Sequence, residues 1–256
     1  MCRLLGWAAR TPVPLADLLG RGELRQFTAL SRKHRDGWGV AWHTGSGLAV
    51  RKSPDAADGN PDFAAWAASV PADLGLVHLR WATLGLGVHQ GNTHPFAGGG
   101  VAFAHNGSVR PPASLDELVE PALREGMEGE TDSERYFRAV LSRAAGPDGE
   151  VEPDRIEPAL VQTVDAIAAT KDFTSLNCLL MTPERLYAVC RFRGTHAGEG
   201  PDYFHLRYRV GEHAVVVSST GWGEGWQPLA DGELLTVDRQ TLALSVTRPD
   251  EALVGS

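Results

Sequence analysis

The chain has 256 residues, 43% of them hydrophobic and 22% charged, with a formal net charge of −8. That length and balance suit a globular protein with a sizeable core, and an acidic total with no Lys/Arg block argues against nucleic acid or an anionic membrane as partner. No apolar stretch approaches the roughly 18 residues of a membrane span, and MCRLLGWAAR is too short for a signal peptide, so a soluble cytoplasmic protein is expected.

In chain order, apolar content and β-branching predict a first set of strands at CRLLGWA (2–8), WGVAWHT (38–44), GLAVRKS (47–53), LGLVHLRWA (74–82) and VAFAHN (101–106). A short helix, DFAAWAASV (62–70), precedes the fourth of them. Helical patterns follow. ASLDELVEPAL (113–123) has Ser114 as a possible N-cap, and TDSERYFRAVLSRAA (131–145) opens with Thr131 and Glu134 in capping-box spacing. RIEPALVQTVDAIAAT (155–170) sets Ile156, Leu160, Val164 and Ile167 on one face. A second set of strands closes the chain: SLNCLLMT (175–182), RLYAVCRF (185–192), YFHLRYRV (203–210), HAVVVSS (213–219), ELLTVD (233–238) and LALSVT (242–247). Strands, then helices, then strands predict a layered α+β architecture. The breaks at 146–153 and 194–200 read as loops, so one domain is expected over 2–256.

The three cysteines, at 2, 178 and 190, form neither a disulfide framework nor a zinc spacing. Cys178 and Cys190 flank the turn predicted at 182–185 and read as buried thiols, with a facing redox pair as the other reading. The nine histidines show no HExxH or other recurring metal spacing, so no metal and no cofactor are expected.

Cys2 is different, because removal of Met1 would give it a thiol and a free α-amine on one residue. The amine, with a reference pKa of about 7.7–8.0, is a base matched to working pH. Acyl transfer by such a nucleophile needs donors aimed at a developing oxyanion. AHNG (104–107) offers the Asn106 side chain and the bare backbone of Gly107, although Asn-Gly after a strand is equally a type I′ turn signal. Arg80, at the end of an apolar strand, suits a carboxylate or simply a solvated strand edge, and Thr83 adds a hydroxyl or a β-former. Asp132 suits either the first-turn helix dipole or a substrate ammonium.

Taken together in this order, Met-Cys, DGWG (36–39), RWAT (80–83), THPF (93–96), HNG (105–107) and GETDSE (129–134) resemble the class II glutamine amidotransferases, which are N-terminal nucleophile hydrolases. Stand-alone glutaminase-type members are the most similar. The resemblance is strongest over 2–134 and continues more loosely through SLNCLLM and VVVSSTGWGEGWQPL. It implies a four-layer αββα sandwich, with Cys2 as nucleophile, its own amine as base, and Asn106 with Gly107 as oxyanion hole. It further implies Arg80 and Thr83 on the substrate α-carboxylate, Asp132 on the α-amine, and Trp81 and His94 lining the pocket. DGWG would shape the pocket wall, with no catalytic role assigned to Asp36.

Nothing after that half resembles a synthase domain, and there is no P-loop. The small-molecule substrate is then glutamine or another γ-glutamyl amide, its ammonia passed to a separate synthase or acceptor protein, or its amine simply released. Two further readings stay open: a γ-glutamyl amidohydrolase of an ergothioneine-like pathway, and a non-catalytic relic that binds an amino acid through Arg80 and Asp132 alone.

Overall fold

The computed structural model describes residues 2–44, 46–82, 86–194 and 203–249. Among the described residues, thirteen strands form two antiparallel sheets. The first sheet contains β1 (Arg3–Pro14), β2 (Trp38–Thr44), β3 (Gly47–Ser53), β4 (Pro71–Leu79), β9 (Leu206–Val210), β10 (Ala214–Ser218) and β11 (Gln227–Leu229), in the order β11-β9-β10-β1-β4-β2-β3. The second contains β5 (Phe96–Gly98), β6 (Val101–Arg110), β7 (Asp172–Met181), β8 (Arg185–Cys190), β12 (Glu233–Asp238) and β13 (Leu244–Thr247), in the order β13-β12-β8-β7-β6-β5.

The alternation of side chains along a strand builds the layers. In β1, Leu4 and Ala8 join an inter-sheet core with Leu74, Leu76, Ala102, Ala104, Leu179 and Ala188. Leu5, Trp7 and Ala9 face the other way, into a core shared with α1 (Leu15–Ala29) and α2 (Pro61–Ser69). On the far side of the second sheet, Phe103, Leu176, Cys178 and Leu180 pack against α4 (Asp132–Ala144) and α5 (Ile156–Thr170). The result is helix, sheet, sheet, helix. This is the expected four-layer αββα sandwich.

Both aromatic and small residues have mechanical reasons. The α1/α2 side is filled by Trp7, Trp38, Trp42, Phe63 and Trp66, whose rings meet at centroid distances of 5.3–6.3 Å. A Cβ on Gly75 would enter the Trp7 ring, so that position must be bare.

All eleven strands expected from the sequence form. The 113–123 helix does not: a 3₁₀ segment, Pro112–Leu118, and the short α3 (Pro121–Glu125) replace it, with Val119 and Glu120 extended between them. The residue before a proline is disfavoured in the α region, so Glu120–Pro121 breaks the pattern. Ser114 lies inside the 3₁₀ segment and caps nothing. The four-residue face of α5 is buried as expected. Cys178 stands opposite Val189, not Cys190, and the two thiols lie in different cores on opposite faces of the sheet. They are buried free thiols, each pushed up to about 12 by burial, and no facing pair exists.

Among the described residues no helix is long and apolar enough to cross a membrane, and no cluster of His, Cys, Asp and Glu could hold a metal ion.

Candidate active site

The inner faces of three strands run out at the same end of the inter-sheet space. Leu4 of β1, Leu76 of β4 and Ala104 of β6 all point inward, so by the two-residue alternation Cys2, just before β1, His78 and Asn106 face the same inter-sheet space. A cleft of about 770 Å³ opens at that end; Cys2, Arg80, Trp81, His94, Gly107 and Asp132 are on its wall.

Cys2 is held by the backbone of the neighbouring strand end. The Trp81 N–H donates to its Sγ at 3.4 Å, and Sγ lies 3.6 Å from the Trp81 carbonyl. Burial pushes the Cys2 thiol up; the Trp81 N–H and the Arg80 charge act against that rise, and Asp132 adds to it. The resting group is therefore a thiol, and its chemistry needs a base.

Asp36 organises this strand end, a job that its sequence motif did not disclose. Its Oδ2 accepts the Ala82 N–H at 2.8 Å, and its backbone N–H donates to the Arg80 carbonyl at 3.1 Å. The Arg80 N–H in turn donates to Gly37 O at 2.8 Å. Trp81, which grips the thiol, sits between two residues clamped by the Asp36–Gly37 turn. The Arg80 guanidinium is 3% exposed and donates to the carbonyls of Asp36 (3.2 Å) and Gly87 (3.1 Å). Burial pulls it below the usual guanidinium range, while Cys2 and Asp36 act in the opposite sense. Gly39, the last residue of DGWG, faces inward where a Cβ would clash with the His94 carbonyl. None of the four residues of DGWG is on the cleft wall, contrary to expectation; the motif lies behind it and supports the wall residues Arg80, Ala82 and His94.

Asn106 and Gly107 do not form a turn. They lie within the ten-residue β6, with Asn106 opposite Asn177 and Gly107 opposite Leu176. The two asparagines differ in one respect. Asn177 is satisfied by Arg191 N–H and the Phe204 carbonyl, whereas the Asn106 amide is 0% exposed and neither its oxygen nor its nitrogen has a partner. A buried, unpaired amide costs about 1–3 kcal/mol, so it asks for a reason. Directly after it the ladder shifts register between Gly107 and Val109, a bulge on β7 that turns the Ser175 carbonyl toward Gly107. A Cβ on Gly107 would clash with that carbonyl, so only glycine fits.

Asp132 begins α4, 5% exposed, with Oδ2 accepting the Val109 N–H at 2.7 Å. Thr131 caps the helix by accepting the Glu134 N–H at 3.1 Å. The reciprocal half of the capping box is missing, because the Glu134 carboxylate reaches Glu128 N–H (2.9 Å) and Gly129 N–H (2.8 Å) instead. Asn92 ties the same segment to the other side of the cleft: its amide bonds Gly87 O, Glu130 Oε1 and Glu130 N–H at 3.0–3.1 Å.

Three buried histidines cluster at the cleft, His94 and His105 on its wall and His78 behind them. His94 stacks on His78 at 4.0 Å between centroids, and neither of its ring nitrogens has a partner. His78 Nε2 bonds the His105 carbonyl at 3.2 Å. His105 bonds Ser133 Oγ through Nδ1 and the Ser175 carbonyl through Nε2, both at 2.9 Å. Burial lowers all three below the ordinary imidazole value, His78 and His94 well below it.

Of the eight residues singled out from the sequence, six line the cleft and Asn106 lies in the strand immediately behind its Gly107 wall. Thr83 lies outside the described residues. Asp36, Asn92, Ser133 and His105 were missed as individual contributors, although Asp36, His105 and Ser133 lie inside DGWG, HNG and GETDSE and Asn92 directly precedes THPF.

The model for glutamine amidotransferases class-II matches residues 1–199. YafJ of Escherichia coli is 32% identical over 160 residues, which are 56% of this chain and 55% of YafJ, so the matched region spans about half of that relative. The gamma-glutamyl-hercynylcysteine sulfoxide hydrolase of Mycobacterium tuberculosis is 26% identical over 254 residues, covering 96% of each chain. Among solved structures, a glutamine aminotransferase class-II domain protein from Silicibacter pomeroyi superposes with a TM-score of 0.66 at 22% identity, covering 96% of this chain and 99% of that one, a likeness of fold.

Proposed function

This chain belongs to the class-II glutamine amidotransferases, and from that premise we propose that it hydrolyses a γ-glutamyl amide through a thioester on Cys2. With Met1 removed, the α-amine of Cys2 takes the thiol proton, and the thiolate attacks the γ-carbonyl. The carbonyl oxygen, becoming negative, receives the Asn106 side-chain N–H and the Gly107 backbone N–H. Collapse releases ammonia or an amine, which leaves with the proton from the α-amine. Water then hydrolyses the thioester to glutamate. Arg80, with Thr83, holds the α-carboxylate, and Asp132 holds the α-ammonium through the carboxylate oxygen that Val109 does not occupy. Trp81 and His94 wall the pocket. No cofactor is needed for these steps, and a reducing cytoplasm would keep the thiol competent.

The observation that carries this reading is the Asn106 amide, buried without a partner beside Gly107 on the wall that Cys2 shares. A pocket that only sensed an amino acid would gain nothing from leaving that amide unsatisfied. The test is intact-mass analysis after incubation with a diazoketone analogue of glutamine. The expected product is a chain lacking Met1 with one adduct on Cys2; full turnover by a chain that retains Met1 would refute the reading.

One observation favours an amine larger than ammonia. The cleft of about 770 Å³ lies in the upper part of the range of small-molecule sites, about 300–1,000 Å³, and leaves room beside a glutamyl head group. A γ-glutamyl conjugate of a larger amine fits that space, in line with the similarity to the gamma-glutamyl-hercynylcysteine sulfoxide hydrolase of Mycobacterium tuberculosis. Release of that amine to water would need no synthase partner, whereas glutamine itself would call for a separate protein to take the ammonia.

A further inference from the structure

The hydrogen-bond direction around His105 determines what Ser133 offers to the cleft. The Ser175 carbonyl can only accept, so the 2.9 Å contact requires the proton of His105 to sit on Nε2. With burial keeping the ring neutral, Nδ1 is bare and must accept. The Ser133 hydroxyl, 2.9 Å from Nδ1, is therefore the donor in that pair. Its proton is committed, and both remaining lone pairs of Oγ are acceptors. Ser133 is 4% exposed, lies on the cleft wall and directly follows Asp132 at the start of α4.

We propose that Ser133 Oγ is a second acceptor for the substrate α-ammonium beside Asp132, with His105 as the positioning residue that fixes its polarity. An ammonium has three N–H donors and no acceptor. Asp132 has one carboxylate oxygen already occupied by the Val109 N–H, so a single carboxylate leaves the cation under-coordinated. A serine free to rotate would present donor or acceptor alike. One locked by His105 presents an acceptor only, which suits an ammonium and disfavours a substituent at that carbon with no N–H or O–H to donate. The consequence is selectivity for substrates with a free α-amine over N-acylated or desamino compounds.

This inference rests on the proposed γ-glutamyl head-group site, and the experiment separates the two. Competitive inhibition constants are measured for glutamate and for glutarate, which is glutamate without its amine, on wild type, Ser133→Ala and Ser133→Thr. Wild type should prefer glutamate. Ser133→Ala should weaken glutamate by about ten-fold or more, the lower range for a hydrogen bond to a charged group, while glutarate binding stays constant and shows the site intact. Ser133→Thr, which keeps the hydroxyl, should restore glutamate binding. Equal weakening of both inhibitors, or of neither, in Ser133→Ala overturns the role of Ser133 alone. No preference for glutamate in wild type overturns the head-group site and this inference with it.

Discussion

Replacing Asn106 separates its two possible contributions with unusual clarity, because in the resting protein its amide bonds nothing. If it donates to the oxyanion, Asn106→Ala or Asn106→Leu should lower kcat by roughly 10²–10³, equivalent to about 2.7–4 kcal/mol, with a smaller effect on KM. Stability should move the other way. Deleting the amide removes a desolvation penalty of about 1–3 kcal/mol and breaks no hydrogen bond. The alanine leaves a cavity costing about 1 kcal/mol at roughly 24 cal/mol per Å³, whereas leucine fills much of that space. Alanine is then close to neutral in stability, and leucine raises Tm by a few degrees for a chain of this size. The assay is kcat on a γ-glutamyl amide and thermal unfolding on the same preparations. A fall in Tm that tracks the loss of rate, or leucine retaining wild-type kcat, would refute the reasoning.

Further outcomes follow from the same geometry. Asp36→Ala frees the Ala82 N–H that Asp36 accepts at 2.8 Å, so kcat/KM should fall by about ten-fold or more, with partial recovery in Asp36→Asn, whose carbonyl still accepts; steady-state kinetics decide. His78 and His94 are neutral in the fold because burial holds them well below the usual value, whereas in the unfolded chain they protonate near 6.5. Their contribution is complete above that pH and is lost as pH falls below it, by about 1.4 kcal/mol each at pH 5.5. Urea unfolding at pH 7.5 and 5.5 should show His94→Phe with a pH-dependent loss smaller by about that amount; an unchanged slope would count against it. Blocking Met1 removal should abolish hydrolysis, and Cys2→Ala should do so with Tm preserved.

Much of the layer structure was legible because each layer depends on a short pattern. The alternation at Leu4, Leu5, Trp7 and Ala8 is visible in the sequence and assigns β1 to two cores. The helix α1 was not legible. Its buried residues Leu15, Leu19 and Phe27 are separated by GRG, and Gly20 adopts φ +76 inside the segment, so the helical period is interrupted. Strands β5 and β11 are three residues each, and only their partners define them. The cleft residues were readable as a set of motifs in order, but not the atoms that hold them. Asp36 acts on the Ala82 N–H, Asn92 on Gly87 O and Glu130 N–H, and Glu134 on Glu128 and Gly129 N–H. Backbone groups of distant residues leave no trace in residue identity. The Asn106–Gly107 pair was ambiguous for the same reason, since only the pairing with β7 distinguishes a strand from a turn.

The distribution of unpartnered buried atoms suggests where this fold has accepted instability for chemistry. Between the sheets the core is built from small and aliphatic residues such as Ala41, Ala102, Ala104 and Ala188, which bury no polar side chain. At its open end, five unpartnered atoms belong to His78, His94 and Asn106. Buried polar groups with no partner are costly wherever they occur, and position beside Cys2 alone does not make them functional. Ser114 supplies the control: its Oγ is also buried and unpartnered, but it lies in the Pro112–Leu118 segment, outside the strand that carries Asn106 and the wall residue Gly107. If orphaned atoms matter only where they face substrate, Ser114→Ala should raise stability by about 1 kcal/mol and leave kcat and KM at wild-type values. Asn106→Leu should also stabilise, but at the expense of rate. Chemical denaturation and kinetics on the two variants and their double mutant test this, and the stability gains should add because the sites share no partner. A loss of rate in Ser114→Ala comparable to that in Asn106→Leu would mean that unsatisfied groups act through general loosening of the fold, and the case for Asn106 as a poised donor would fail.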